Sequence, residues 1–224
     1  TTGAITGTFD ANDSQGGVAG LHTITVQATD GEGSTITYDV QVTATNVAVV
    51  NPGTLAGGTF TDGQSVGTID ASTNDGGVDT DTLAYSITGG APNGSFAIDP
   101  TTGAITGTFD ANDSQGGVGG VHTITVQATD NEGSTVTYDV QVTATNIAVV
   151  NPGTLAGGTF TDNQAITPID ASTTDGGVDT DTLAYSITGG APNASFVIDP
   201  TTGEISGTFD ANDSQGGVGG VHTI

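Results

Sequence analysis

The segment TTGAITGTFDANDSQGGV, residues 101–118, decides the fold because it recurs at a fixed spacing along the chain. It is present unchanged at residues 1–18 and, with Glu204 and Ser206 as its two substitutions, at residues 201–218. Residues 1–100 and 101–200 differ at 13 positions. A period of 100 residues is the size of a small domain and too long for a solenoid unit. The sequence therefore predicts tandem copies of one domain, arranged as beads on a string.

The recurring segment also predicts a β-hairpin followed by a polar loop. Two short apolar runs, FAI and AITGTF, flank the five residues DPTTG at positions 99–103. Pro100 fixes its own φ, and Gly103 can adopt a left-handed conformation, so these residues suit a tight turn. The eleven residues that follow, DANDSQGGVGG at 110–120, are too rich in glycine for a helix.

The remainder of the repeat indicates strands. Residues 82–88, 121–129 and 135–145 alternate apolar with hydroxyl or small residues, and residues 59–61 and 65–71 read as short strands around an Asp-Gly turn. No segment has a helical apolar period, and turn signals recur about every 8 to 12 residues, as in antiparallel sandwiches. We therefore predict an all-β fold of tandem seven-stranded Greek-key sandwiches.

This pattern also predicts the domain boundaries. The turn signal Asn51-Pro52-Gly53 follows a strand-like run and restarts the pattern. Residues 1–47 are then the C-terminal part of a repeat, residues 48–147 a complete repeat, and residues 148–224 the N-terminal part of the next.

The charge balance excludes several classes of partner. The chain has 25 Asp and Glu, no Lys and no Arg, and a formal net charge of -25. Nucleic acids and anionic membrane surfaces are bound through basic groups, which are missing. Bound metal cations would relieve the self-repulsion, although solvation in salt would also screen it. Cysteine is absent, which excludes disulfides and thiolate metal sites, and no apolar run is long enough to insert into a membrane.

Three runs resemble the cadherin and cadherin-like, dystroglycan-type domains of bacterial and archaeal surface adhesins. They are VDTDTLAYSI at 78–87, SFAIDPTTGAITGT at 95–108 and HTITVQATDNEGSTVTYDVQVT at 122–143. The resemblance implies a seven-stranded Greek-key sandwich and calcium held near the domain ends. It also implies an extracellular, cell-surface location in a large repetitive adhesin.

The resemblance carries acidic loop residues over as calcium ligands, which suits an ion that takes carboxylate, amide and carbonyl oxygens. The candidates are Asp79 and Asp81 of the Asp-x-Asp motif, Asp130 of the Ala-x-Asp position with Glu132 beside it, Asp110 and Asp113 of the acidic loop, and the copies Asp10, Asp13, Asp30, Asp179, Asp181, Asp210 and Asp213. We expect these loops to meet at one end of the sandwich. The alternative is that each aspartate forms a local turn or is solvated.

The linker departs from the family pattern. Residues 143–152, TATNIAVVNP, contain no carboxylate, so Asn146 and Asn151 can offer only amide oxygens. A full ion cluster between domains is therefore not expected, and sites within the loops of one domain are favoured. Residues 147–150 are expected to form the first edge strand of the following sandwich, with a continuous inter-domain strand as the alternative.

These features favour a structural function. The main hypothesis is a calcium-stabilised spacer in an extracellular array, whose partners are the neighbouring repeats of the same chain. One alternative is a filament subunit completed by strand exchange with identical chains, and another is a module for carbohydrate or homophilic cell-cell binding. An enzyme is not expected, because a whole domain is repeated and no Trp is present to line a substrate platform. His22, His122 and His222 lack a second His or Cys near them, so a surface role is favoured over zinc.

Overall fold

The computed structural model describes residues 3–77, 80–177 and 181–224. The chain divides into two compact units, Thr1–Thr145 and Asn146–Ile224. The first unit contains the C-terminal part of one repeat and the complete repeat that follows it.

The first part of this unit is a hairpin of β1 (Leu21–Thr29) and β2 (Thr35–Thr43). The strands are antiparallel, with Leu21 opposite Thr43 at one end and Thr29 opposite Thr35 at the other. A 3-10 turn, Asp13–Gln15, precedes the hairpin. Tyr38 of β2 remains 51% exposed.

The complete repeat contains seven strands among the described residues. They are β3 (Leu55–Thr61), β4 (Ile69–Asp70), β5 (Ala84–Gly89), β6 (Ala97–Ile98), β7 (Ala104–Thr106), β8 (Val121–Thr129) and β9 (Thr135–Thr145). The predicted strand at 59–61 begins earlier, at Leu55, because the chain pairs with β9 on both sides of a bulge at Gly57. The predicted strand at 65–71 is reduced to the two residues of β4.

The seven strands form two sheets. One has the order β3-β9-β8-β5 and the other the order β4-β7-β6. Strand β3 runs parallel to β9, whereas the other neighbouring strands are antiparallel. Strands adjacent in sequence are thus repeatedly separated between the sheets, as in Greek-key sandwiches. The predicted all-β sandwich is confirmed.

The core lies between these sheets. The alternation of β8 and β9 places Ile124, Val126, Val140 and Val142 inward, where each is fully buried. The opposite sheet contributes Ile69 and Ile105, and Phe109 closes the core with an edge-on contact to Phe96 at 5.3 Å between ring centroids. Buried Tyr138 donates its hydroxyl to the Ala71 carbonyl, which satisfies a polar group inside the sandwich.

The hairpin of β6 and β7 has the turn that the sequence predicts. The Asp99 carboxylate accepts hydrogen bonds from the backbone N–H groups of Thr101 at 2.9 Å and Thr102 at 2.8 Å. These hydrogen bonds lower the pKa of Asp99, and the bond from the Thr102 N–H contributes most. Gly103 has φ +72, and an added Cβ would lie 3.0 Å from the Ser72 Cα, so glycine is required there.

The residues before β3 pack on the repeat that follows them. The Val50 N–H donates to the Asn74 carbonyl at 3.0 Å, and the Val50 carbonyl accepts from the Thr73 hydroxyl at 2.7 Å. Val49 is 7% exposed and belongs to the core of this sandwich. The apolar run thus packs on the sandwich that follows it, but it forms only the isolated bridge of Val49 with Asp75 and not the predicted edge strand.

The second unit repeats part of this architecture. Its strands are β10 (Ile169–Asp170), β11 (Val197–Ile198) and β12 (Glu204–Ser206), in the order β10-β12-β11. Its small core consists of Ile166, Phe196 and Ile205, with Phe209 packed against it.

Candidate functional site

The turn between β8 and β9, residues 130–134, carries the most buried of the predicted ligands. One oxygen of Asp130, Oδ1, accepts the N–H groups of Glu132 at 2.9 Å and Ser134 at 2.8 Å. The side chain of Asp130 is only 5% exposed. The local turn therefore fixes this carboxylate and leaves its second oxygen, Oδ2, for another partner.

Side chains of the preceding repeat meet this turn. The Asn46 amide donates to Asp130 Oδ2 at 3.1 Å, and the Ser14 hydroxyl donates to Glu132 Oε1. The Gln15 amide donates to the Asn131 carbonyl at 3.1 Å. We call this set, residues 14, 15 and 46 with residues 130–132, the repeat junction.

The repeat junction contains buried oxygens that lack donors. Asn46 Oδ1 and Glu132 Oε2 are buried and accept no hydrogen bond from the described residues. A buried acceptor without a donor is costly, and the chain has no Lys or Arg to supply one. A cation would satisfy both atoms. An all-oxygen donor set suits calcium or magnesium rather than a soft metal.

The possible metal ligands at the repeat junction include few carboxylates. Within residues 3–77, 80–177 and 181–224, no three side chains of His, Cys, Asp or Glu are grouped so that they could hold a metal ion. The repeat junction contains two carboxylates, Asp130 and Glu132, which lie two residues apart in the turn, and the Asn46 amide, which contacts Asp130. Calcium takes six to eight oxygens, so these side chains fit it as part of a set that backbone carbonyls and water would complete.

In the acidic loop, a carboxylate accepts hydrogen bonds that hold the loop in its conformation. Asp113 Oδ2 accepts the Asp110 N–H at 2.6 Å and the Asn93 amide at 2.7 Å. The corresponding copies make the same bonds, with Asp13 accepting from Asp10 and Asp213 accepting from Asp210 and Asn193. These contacts agree with the alternative interpretation, in which the aspartates form local turns.

The expectation that the acidic loops of one repeat meet at one end is wrong for the loop of Asp110 and Asp113. The loop containing Asp113 immediately precedes β8, whereas the turn at Asp130 follows it. A nine-residue strand separates them by roughly 30 Å, since each residue of a strand rises about 3.3 Å. The turn instead meets the acidic loop of the preceding repeat, through Ser14 and Gln15.

Of the other predicted ligands, Asp81 lies three residues before Ala84 of β5, which pairs with Thr129 next to the Asp130 turn. Asp81 is half-buried and lines an open cavity of about 460 Å³ with Asp75 and Tyr85. Asp30 occupies the exposed turn between β1 and β2, where it accepts the Glu32 and Ser34 N–H groups. Asp181 is half-buried in the second unit. Asp79 and Asp179 fall outside the described residues.

Sequence reasoning missed the buried carboxylate of Asp62. This side chain is fully buried, and its Oδ1 accepts the Ser114 N–H at 2.8 Å while Oδ2 has no donor among the described residues. The dipeptide Asp62-Gly63 was interpreted as turn chemistry alone. The recurrence of this aspartate as Asp162 was the available signal. The acidic loop alone does not bury it, because Asp162 accepts the same bond from the Ser214 N–H and is only half-buried.

The three histidines support the fold at the same end of each repeat. The Nε2 atoms of His122 and His222 each lie 2.8 Å from the carbonyl of the aspartate nine residues earlier. The His122 ring also packs 6.0 Å from the Phe109 ring. These contacts tie the acidic loop to β8, which agrees with a structural role.

The fold of residues 48–145 defines a class of domain, the Ig-like β-sandwich. Residues 46–145 match the family model described as Putative Ig domain, and this segment is the complete repeat with its linker. Domains of this class have structural and adhesive roles rather than catalytic ones, in agreement with the prediction of a non-enzymatic protein. No curated protein matches the chain.

Solved structures with a similar fold are cadherin ectodomains. Protocadherin Gamma B7 extracellular cadherin domains 1-4 match 85% of this chain at 17% identity and a TM-score of 0.33, and the chain covers 49% of that structure. Drosophila N-cadherin EC1-4 matches 84% at 16% identity and a TM-score of 0.37, with 48% covered. Mouse Cadherin-23 EC22-24 matches 85% at 20% identity and a TM-score of 0.34, with 64% covered. The chain thus spans about half to two thirds of these structures.

No helix among the described residues is long and apolar enough to cross a membrane.

Proposed function

We propose that the protein is a structural spacer of an extracellular surface array, in which calcium stabilises the junctions between successive repeats. The single observation that supports calcium most strongly is the pair of buried, donorless oxygens at the repeat junction, Asn46 Oδ1 and Glu132 Oε2. The Asn46 amide also contacts the buried carboxylate of Asp130.

The charge of the chain supports the same proposal. A net charge of -25 without any basic side chain makes close packing of successive acidic ends unfavourable. A divalent cation at the repeat junction would offset two carboxylates where they are least screened by solvent. Asp130 and Glu132 would hold the ion together with Asn46, and calcium would supply charge neutralisation and no other chemistry.

The repetition of the sequence supports a spacer. Two copies that differ at 13 of 100 positions present nearly the same surface at each step, which suits extension by repeated contacts. The proposed context is a large bacterial or archaeal surface adhesin, whose partners are neighbouring repeats.

Calorimetric titration of the 224-residue chain with calcium, after removal of metal, tests the proposal. We expect Asp130→Asn to weaken binding, because the amide keeps the Oδ1 that caps the turn and removes the charge. Asp30→Asn is the matched control, since Asp30 makes the same turn contacts in an exposed turn. Equal calcium affinity in the two variants would refute the junction site.

A further inference from the structure

The end of the first repeat that carries the acidic loop contacts the opposite end of the repeat that follows it. We propose that Ser14, Gln15 and Asn46 recognise the turn at residues 130–134 through uncharged donors, and that these contacts orient successive repeats without any metal. The proposal shares with the spacer function only the premise that the repeats are successive domains.

The recognised turn is held rigid by its own hydrogen bonds. The Asp130 N–H donates to the Ser134 carbonyl at 3.0 Å, and Asp130 Oδ1 accepts the Glu132 and Ser134 N–H groups. These bonds leave the Asn131 carbonyl directed at the Gln15 amide. Gln15 contacts a backbone carbonyl rather than a side chain, so Gly31, at the equivalent position of the first repeat, has the same carbonyl acceptor.

The recognising surface is equally preorganised. The 3-10 turn that contains Ser14 and Gln15 is closed by the bond from the Gly16 N–H to the Asp13 carbonyl at 3.0 Å. The Ala44 N–H bonds to the Gly20 carbonyl at 2.9 Å, which ties the loop to the strand end just before Asn46. Two rigid surfaces lose little conformational entropy when they dock.

The chemistry of the donors follows from the composition. A chain without Lys or Arg has no permanently charged side-chain donor, and the carboxylates at the repeat junction accept hydrogen bonds from hydroxyl, amide and backbone groups. Ser14 and Asn46 supply a hydroxyl and an amide to Glu132 and Asp130. The Gln15 contact involves no carboxylate and is therefore independent of bound cations.

Distance measurement between spin labels tests the inference. The chain lacks cysteine, so labels at Thr37→Cys and Thr137→Cys, both exposed strand positions, report only on the two hairpins. In chelator we expect a single narrow distance distribution for the otherwise unchanged chain. The double variant Ser14→Ala, Gln15→Ala should lose this narrow maximum. The matched control, Ser114→Ala with Gln115→Ala, alters the next copy of the loop and should retain it.

The outcomes separate this inference from the calcium proposal. A distribution that is broad in chelator and narrow in calcium would overturn metal-free docking and leave the calcium proposal standing. A narrow distribution in chelator that survives the double variant would also overturn it. Circular dichroism of each labelled variant establishes that its sheets are intact, so broadening reports the repeat junction rather than unfolding.

Discussion

Removal of the Tyr138 hydroxyl should destabilise the complete repeat, because that hydroxyl is the donor to the buried Ala71 carbonyl. Leaving a buried acceptor without its donor costs about 1 to 3 kcal/mol. Tyr138→Phe should therefore lower the free energy of unfolding by that amount in urea at neutral pH. Tyr38 occupies the same position of the first hairpin and is 51% exposed, so Tyr38→Phe should change stability by less than about 0.5 kcal/mol.

The same hydroxyl should make the folded repeat less stable at high pH. Burial, and then the nearby charges of Tyr85 and Asp70, raise the pKa of Tyr138 from 10.0 to about 12. The unfolded chain loses this proton first, so stability is retained below about pH 10 and falls as the pH approaches about 12. Two pKa units correspond to about 2 to 3 kcal/mol. Tyr138→Phe should lack this part of the decline. If Tyr138→Phe and Tyr38→Phe unfold alike in urea and at high pH, the buried hydrogen bond does not stabilise the repeat.

Two further substitutions test the packing and the turn. Gly107→Ala would place a Cβ 2.7 Å from the Phe96 ring, whereas the Cβ of Gly7→Ala would meet nothing within 4 Å. In thermal unfolding, Gly107→Ala should therefore lower the free energy of unfolding by about 1 to 3 kcal/mol and Gly7→Ala by almost nothing. Equal effects of the two substitutions would contradict the packing of Gly107 against Phe96. Because the pKa of Asp99 is lowered, its ionised carboxylate stabilises the folded state at pH values above the ordinary pKa of an aspartate. This stabilisation is lost as the pH falls below that ordinary pKa. Asp99→Asn should therefore make acid unfolding less steep, and an unchanged acid transition would argue against the carboxylate as the turn's cap.

Much of the sandwich follows from short-range patterns. The alternation along β8 and β9 specifies which residues face inward, because side chains of a strand alternate between faces. The turn at residues 99–103 follows from Pro100 and Gly103, whose backbone preferences are intrinsic. The parallel pairing of β3 with β9 does not, because the glycines at 57 and 58 give a weak strand signal and the pairing partner is some 80 residues away.

The candidate site depended on contacts that no local pattern encodes. Asp113 and Asp130 are both loop aspartates in the sequence, yet the first is used by its own loop and the second is buried against the preceding repeat. The linker asparagine Asn146 was expected to offer only its amide oxygen, whereas its copy Asn46 uses its amide nitrogen to donate to Asp130. These distinctions arise from how the end of one repeat packs on the next.

Equilibrium unfolding of the 224-residue chain in calcium and in chelator tests the central claim most directly. Binding to the folded state alone stabilises it by about 2.7 kcal/mol when free calcium is about a hundredfold above the dissociation constant. We therefore expect the urea midpoint to rise with calcium concentration, and the rise to be smaller in Asp130→Asn than in Asp30→Asn. A midpoint that is the same in chelator and in calcium at every concentration would contradict a calcium-stabilised spacer.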